Sequence, residues 1–148
     1  MSHSQEPAFG SAGASGTVKW FGEFSQADFD VDFFERIVER SPNYVQVLRL
    51  LGELLARKGL YDRSLVIDRR LVRLVPADGV ARYNLACSLA MCGHPEEAIE
   101  ELRLAIEYGY CDFGYLEMDS DLDSLRGDPK FQALLGRNPK KRRREKKK

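Results

Sequence analysis

The sequence predicts an all-α fold, a short solenoid of helix-turn-helix units closed by a helical C-terminal cap. Three observations carry this. Apolar residues recur at i, i+3 and i+4 through five consecutive segments. Proline, glycine or an N-capping residue punctuates nearly every segment where helices start and stop. The intervening links are two to four residues long, short enough to lay consecutive helices antiparallel.

The first 18 residues hold ten Gly, Ala or Ser and no periodicity, which predicts a disordered leader. Trp20, Phe21 and Phe24 follow as an aromatic anchor for the body. In DFFERIVERSP the stripe Phe33, Phe34, Ile37 and Val38, with capping-box spacing at Asp32 and Glu35, predicts a helix from Asp32 to Ser41-Pro42. A second helix runs from about Tyr44 to Lys58 and closes at Gly59. The third, YDRSLVIDRRLVRLVP, ends at Pro76, with Leu65, Val66, Leu71, Val72 and Leu74 on a broad buried face. Asp78 caps a fourth that stops at Gly93, and Pro95, Glu96 and Glu97 begin a fifth with proline at N1 and acids near the positive end of the dipole. Beyond Gly109, Ser120 and Asp123 have capping-box spacing around Leu122 and Leu125, and Asp128-Pro129 opens a helix carrying Phe131, Leu134 and Leu135.

At an offset of 34 residues, Leu51-Gly52 falls on Leu85-Ala86, Leu55 on Leu89, Gly59 on Gly93 and Leu71 on Ala105. One offset earlier, Pro42 falls on Pro76. These positions resemble the tetratricopeptide repeat, a helix-turn-helix unit whose small residues mark the close crossing of its two helices. The resemblance implies two full units over residues 45–112, starting at Val45 and Gly79, preceded by a partial unit within 19–44 and followed by a cap over 113–136. The second unit matches better, through Asn84, Gly93, Ala98 and Ala105; the first has Ser64 and Asp68 at helix B positions where the family carries a small residue and an aromatic. The segment LDSLRGDPKFQALL is similar to one that follows terminal units in bacterial proteins, which favours a bacterial source.

Composition narrows the function. With 43% apolar and 31% charged residues and no apolar run near ~20 residues, the chain reads as a soluble domain without membrane insertion. Three cysteines, an odd number in a chain with ample apolar residues, suggest free thiols in the cytoplasm. The formal charge of zero conceals a division: residues 137–148 carry nine Lys/Arg and one Glu, net +8, whereas residues 19–136 carry 14 basic and 21 acidic side chains, net −7.

Several motifs fail on chemistry. GTVKWF resembles the first strand of cold-shock domains, yet the chain enters helices where that barrel continues. Asp119, Asp121 and Asp123 have the first EF-hand spacings, but Ser124 and Lys130 replace the turn glycine and the bidentate glutamate. Cys87 and Cys92 lie five residues apart on a helix, point apart, and read as small buried hydrophobes. With no phosphate loop and no serine-histidine partnership, neither a cofactor, a metal nor an enzyme activity is expected. Asn84 and Arg49 match part of the carboxylate clamp of some repeat domains, but Glu53 would repel such a ligand.

The resemblance implies a concave face built from the first helix of each unit. That face comprises Gln46, Arg49, Glu53 and Arg57, then Val80, Tyr83, Asn84, Cys87 and Met91. It suits an amphipathic helix or extended peptide of a protein partner; the competing reading has Tyr83 and Met91 covered by the cap. The alternative function lies in a disordered tail over residues 137–148, whose Lys140, Lys141, Arg142, Arg143, Arg144, Lys146, Lys147 and Lys148 could hold RNA, the ribosome or an acidic protein.

Overall fold

Helix α1 (Gln26–Arg40) opens at Ser25, well before the Asp32 that the spacing suggests. Ser25 and Asp28 form the capping box: the Ser25 hydroxyl accepts from the Asp28 amide at 3.2 Å, and the Asp28 carboxylate accepts from the Ser25 amide at 3.0 Å. The apolar stripe reaches back to Val31, buried with Val38, while Phe33 is exposed and stacks on Phe29. The computed structural model describes residues 25–147; the expected leader, the Trp20, Phe21 and Phe24 anchor, the cold-shock-like strand and Lys148 lie outside them.

Four helices follow: α2 (Val45–Arg57), α3 (Tyr61–Leu74), α4 (Gly79–Met91) and α5 (Pro95–Glu107). Each packs on its neighbour, and α2 also touches α4. The starts of α2 and α4, and those of α3 and α5, are 34 residues apart, and matching positions are equally buried: Leu51 with Leu85, Leu55 with Leu89, Leu71 with Ala105. Asp78 caps α4 as expected, its side chain accepting from the Ala81 amide at 2.9 Å. Gly59 and Gly93 end α2 and α4 at φ +73° and +80°, a left-handed turn that a Cβ would strain.

The buried face of α3 differs from expectation. Ser64, Asp68, Leu71 and Val72 are buried, whereas Val66 is 61% exposed and Leu74 36%. The reason is helical phase: positions 64, 68, 71 and 72 share one face, and Val66 lies about 200° around from Ser64. Apolar residue count misleads here because polar groups occupy the inner face.

Over the end of the solenoid lie α6 (Phe113–Met118), a 3-10 helix (Ser120–Leu125) and α7 (Pro129–Leu135). Leu116, Leu122, Leu125 and Phe131 are fully buried there, so the cap covers apolar surface that a short solenoid would otherwise expose. The cap of the 3-10 helix is Asp119, which accepts from the Asp121 amide at 3.0 Å, rather than a Ser120–Asp123 box. Arg126 locks the turn by donating to the carbonyls of Glu117 and Asp119 at 2.6 and 2.9 Å. The tail also departs from the expected disorder: Asn138 caps α8 (Pro139–Glu145), with proline at N1 followed by straight-chain Lys and Arg that favour helix. Among the described residues the chain is all-α, without a strand.

Candidate functional site

Helix α2 makes a close approach to α3 at Gly52. A Cβ there would sit 2.5 Å from Asp68 Oδ1, so glycine is what admits a carboxylate at this crossing. Asp68 projects inward from α3 and is only 3% exposed. Its Oδ2 accepts from the hydroxyls of Ser88 at 2.7 Å and Ser64 at 3.1 Å, and the two hydroxyls lie 3.0 Å apart. The Ser64 hydroxyl is also 3.1 Å from the Gly52 carbonyl, a second acceptor for its proton. Burial pushes the Asp68 carboxyl up to about 6, against the two serine hydrogen bonds and with the help of the nearby Glu53 charge.

Above Asp68 opens a cleft of about 440 Å³ between α2, α3, α4 and the cap. Gly52, Glu53, Ala56 and Arg57 line it from α2, Tyr61 and Ser64 from α3, Tyr83, Asn84 and Cys87 from α4, and Tyr115, Asp119, Ser120 and Asp121 from the cap. Two tyrosine hydroxyls tie the cap to the solenoid: Tyr83 donates to Asp119 at 2.6 Å and Tyr61 to Asp121 at 3.1 Å. Tyr83 is 4% exposed, and its ring stacks on Tyr110 with centroids 4.2 Å apart. Burial raises the Tyr83 hydroxyl and the Cys87 thiol well above their usual ranges, so both stay protonated at neutral pH. Burial also raises the Tyr61 hydroxyl and the Asp121 carboxyl.

Five of the nine residues expected on the concave face therefore meet in one cleft: Glu53, Arg57, Tyr83, Asn84 and Cys87. Tyr83 and Cys87 are covered by the cap rather than displayed. The other four lie outside the lining. Gln46, Val80 and Met91 are exposed, and Arg49 is held by Asp78 at 2.7 Å. That pair and the backbone hydrogen bonds of the helix cap together outweigh burial and pull the Asp78 carboxyl down. Asp119 and Asp121 accept from tyrosines and Asp123 pairs with Arg126 at 2.8 Å, a use unrelated to calcium spacing. Cys87 is buried as expected, while Cys92 is partly exposed with its sulfur 3.5 Å from Asp62.

In α8 and the following turn, Lys140, Lys141, Arg142, Arg143, Arg144, Lys146 and Lys147 are exposed. Lys141 reaches back to Glu117 at 2.7 Å. Among the described residues no helix is long and apolar enough to cross a membrane.

Solved structures of similar architecture include a crystal structure of MamA, a TPR-like helical repeat protein, at a TM-score of 0.61 and 24% identity, covering 72% of this chain and 64% of that one. A second, MamA 41-end from Desulfovibrio magneticus RS-1, gives a TM-score of 0.59 at 17% identity, covering 80% of this chain and 68% of that one. These likenesses establish the helical repeat fold. Among curated proteins, a chloroplastic protein of Arabidopsis thaliana is 29% identical over 83 residues, or 54% of this chain. The chain spans only 25% of that relative. The model of the A/B hydrolase-like, N-terminal domain family matches residues 72–147, from the end of α3 through α8. With just over half of its length so matched, the chain belongs to the A/B hydrolase-like, N-terminal domain family.

Proposed function

We propose that this chain is a non-enzymatic interaction module that holds a protein or peptide partner in the cleft between α2, α4 and the C-terminal cap. The observation that carries the reading is the cleft itself, about 440 Å³, lined by charged and aromatic side chains from five separate elements. Such a lining offers stacking area together with oriented polar contacts, the combination that gives peptide recognition its affinity and register. Two full repeat units over residues 45–112, the partial unit before them and the cap over 113–136 supply its walls in this reading. Catalysis by the chain itself finds little support in the residues: His94 lies exposed at the start of α5, away from the cleft lining, and the cleft's thiol and tyrosine hydroxyl are held protonated. The family's name points to hydrolase-like proteins, and a binding role for this part of them is compatible with that name.

Capture of partners at moderate salt tests the proposal with wild type and two variants side by side. Glu53→Lys reverses one exposed charge of the cleft and should release the partner; deletion of residues 137–148 should retain it. Partners that instead follow the tail, and leave on nuclease treatment, would replace this reading with nucleic-acid association through α8, whose phosphate contacts weaken steeply with salt.

A further inference from the structure

The floor of the cleft carries a charge that the fold does not neutralise. Asp68 is buried to within 3% of full coverage, yet no Lys or Arg among the described residues forms an ion pair with it. Both serine hydrogen bonds fall on Oδ2. Oδ1 accepts no hydrogen bond among the described residues and lies against Gly52, where the two residues line the cleft together. Burying an uncompensated carboxylate opposes folding, and an apolar residue of similar volume would serve packing better. A free acceptor oxygen at the inner end of an accessible cleft has the form of a receptor for a donor cation.

The walls fit the same ligand. Tyr61 and Tyr115 present aromatic surface, while Glu53 and Asp121 add negative charge nearer solvent. Aromatic faces and carboxylates are the two environments that favour an alkylammonium or guanidinium group over a neutral side chain. Arg57 also lines the cleft, but it is exposed and forms no ion pair among the described residues, leaving Asp68 unfilled.

Resting on the partner-binding reading above, we infer that the cleft takes one lysine or arginine side chain of a basic peptide segment, its cationic end at Asp68 Oδ1 and its stem beside Tyr61 and Tyr115. Asp68 is then a specificity-determining residue, kept charged at a cost to stability.

The test titrates acetylated, amidated Gly-Gly-Lys-Gly-Gly into the isotope-labelled full chain at pH 7.5, with arginine and norleucine peptides alongside, and follows amide shifts. Saturable shifts at Gly52, Tyr83 and Asp121 with the lysine or arginine peptide, and none with norleucine, are expected; the more strongly bound of the two cations identifies the preferred group. Asp68→Asn keeps the shape of the side chain and should weaken binding about tenfold or more, the loss of one charged contact. Its own dispersed amide spectrum reports that it folds, and the exposed Glu53→Gln, which leaves the core untouched, should weaken binding about two- to threefold, roughly the worth of a solvent-screened charge. Equal affinity of wild type and Asp68→Asn, equal binding of norleucine, or no saturable shift would overturn the inference. If a protein partner is still captured and released by Glu53→Lys while the peptides fail, the cation site alone is lost and the interaction module stands.

Discussion

The hydroxyl of Tyr83 donates to the carboxylate of Asp119 over 2.6 Å, joining the middle of α4 to the first residue of the capping turn. The Cys87 thiol approaches the same oxygen at 3.6 Å, and Asp119 Oδ1 holds the Asp121 amide at 3.0 Å. One carboxylate thus organises the cap on one side and the cleft wall on the other. Tyr83→Phe removes a hydrogen bond to a charged, buried acceptor while keeping the ring, and should lower stability by about 1.5–3 kcal/mol. Urea unfolding checks this; a midpoint unchanged from wild type would mean that water replaces the hydroxyl freely.

Asp68 links stability to pH. Its carboxyl is raised from 3.8 to about 6 in the folded chain, so between those values the folded state binds more protons than the unfolded one. Stability must therefore fall as pH rises from about 4 through 6, and level off above. A rise of that size corresponds to roughly 3 kcal/mol at the upper end. Asp68→Asn should flatten this part of the profile and raise the denaturation midpoint at pH 7.5, even as it weakens binding of a cation. The groups facing Asp68 in the cleft are Glu53, Arg57, Tyr61, Tyr83, Cys87, Tyr115, Asp119 and Asp121. Thermal unfolding of both proteins at pH 4.5 and 7.5 isolates the Asp68 contribution; parallel profiles would contradict it.

At the other end, Asp28 is held down to about 2, first by its hydrogen bond to Lys58 and then by those to Ser25. A depressed carboxylate stabilises above its unfolded value and loses that support as pH falls through its folded one. Docking of α1 on the end of α2 should accordingly loosen between about pH 4 and 2. Lys58→Met should remove most of that dependence, read as amide exchange in α1 across the acid range.

Ala98 has no exposed surface where α5 crosses α4, as Ser64 has none where α3 crosses α2. Ala98→Leu forces a large side chain into that crossing and should cost about 1–3 kcal/mol. Deletion of residues 137–148 should cost far less, since the exposed α8 contributes mainly the Lys141–Glu117 pair, a surface contact worth about 1 kcal/mol at most. Urea midpoints of the two variants, measured beside wild type, check the contrast.

The helices from Val45 to Glu107 are legible in sequence because apolar spacing, Asp78 and the two left-handed glycines all point to the same boundaries. The start of α1 is not, because Asp32 and Glu35 offer capping-box spacing beside the apolar stripe while the operative capping box, Ser25 with Asp28, sits in a polar stretch before it. The cleft is half legible: Glu53, Arg57, Tyr83, Asn84 and Cys87 are among the residues that the repeat resemblance implies for the concave face, but Asp119 and Asp121 reach it through the fold of the cap, with Asp119 36 residues beyond Tyr83. Asp68 stands at a position where the repeat expects an aromatic. Its signal is the coincidence of Ser64 and Asp68, four residues apart on one face, with Ser88 across the crossing, three polar groups where apolar ones would be ordinary.

Hydrogen exchange of the full chain with and without a captured protein partner tests the central claim, that partners bind in the cleft rather than on the tail. Slowed exchange over residues 52–57, 83–87 and 115–121, with 139–147 unchanged, is the predicted footprint. Protection confined to 139–147 would contradict it.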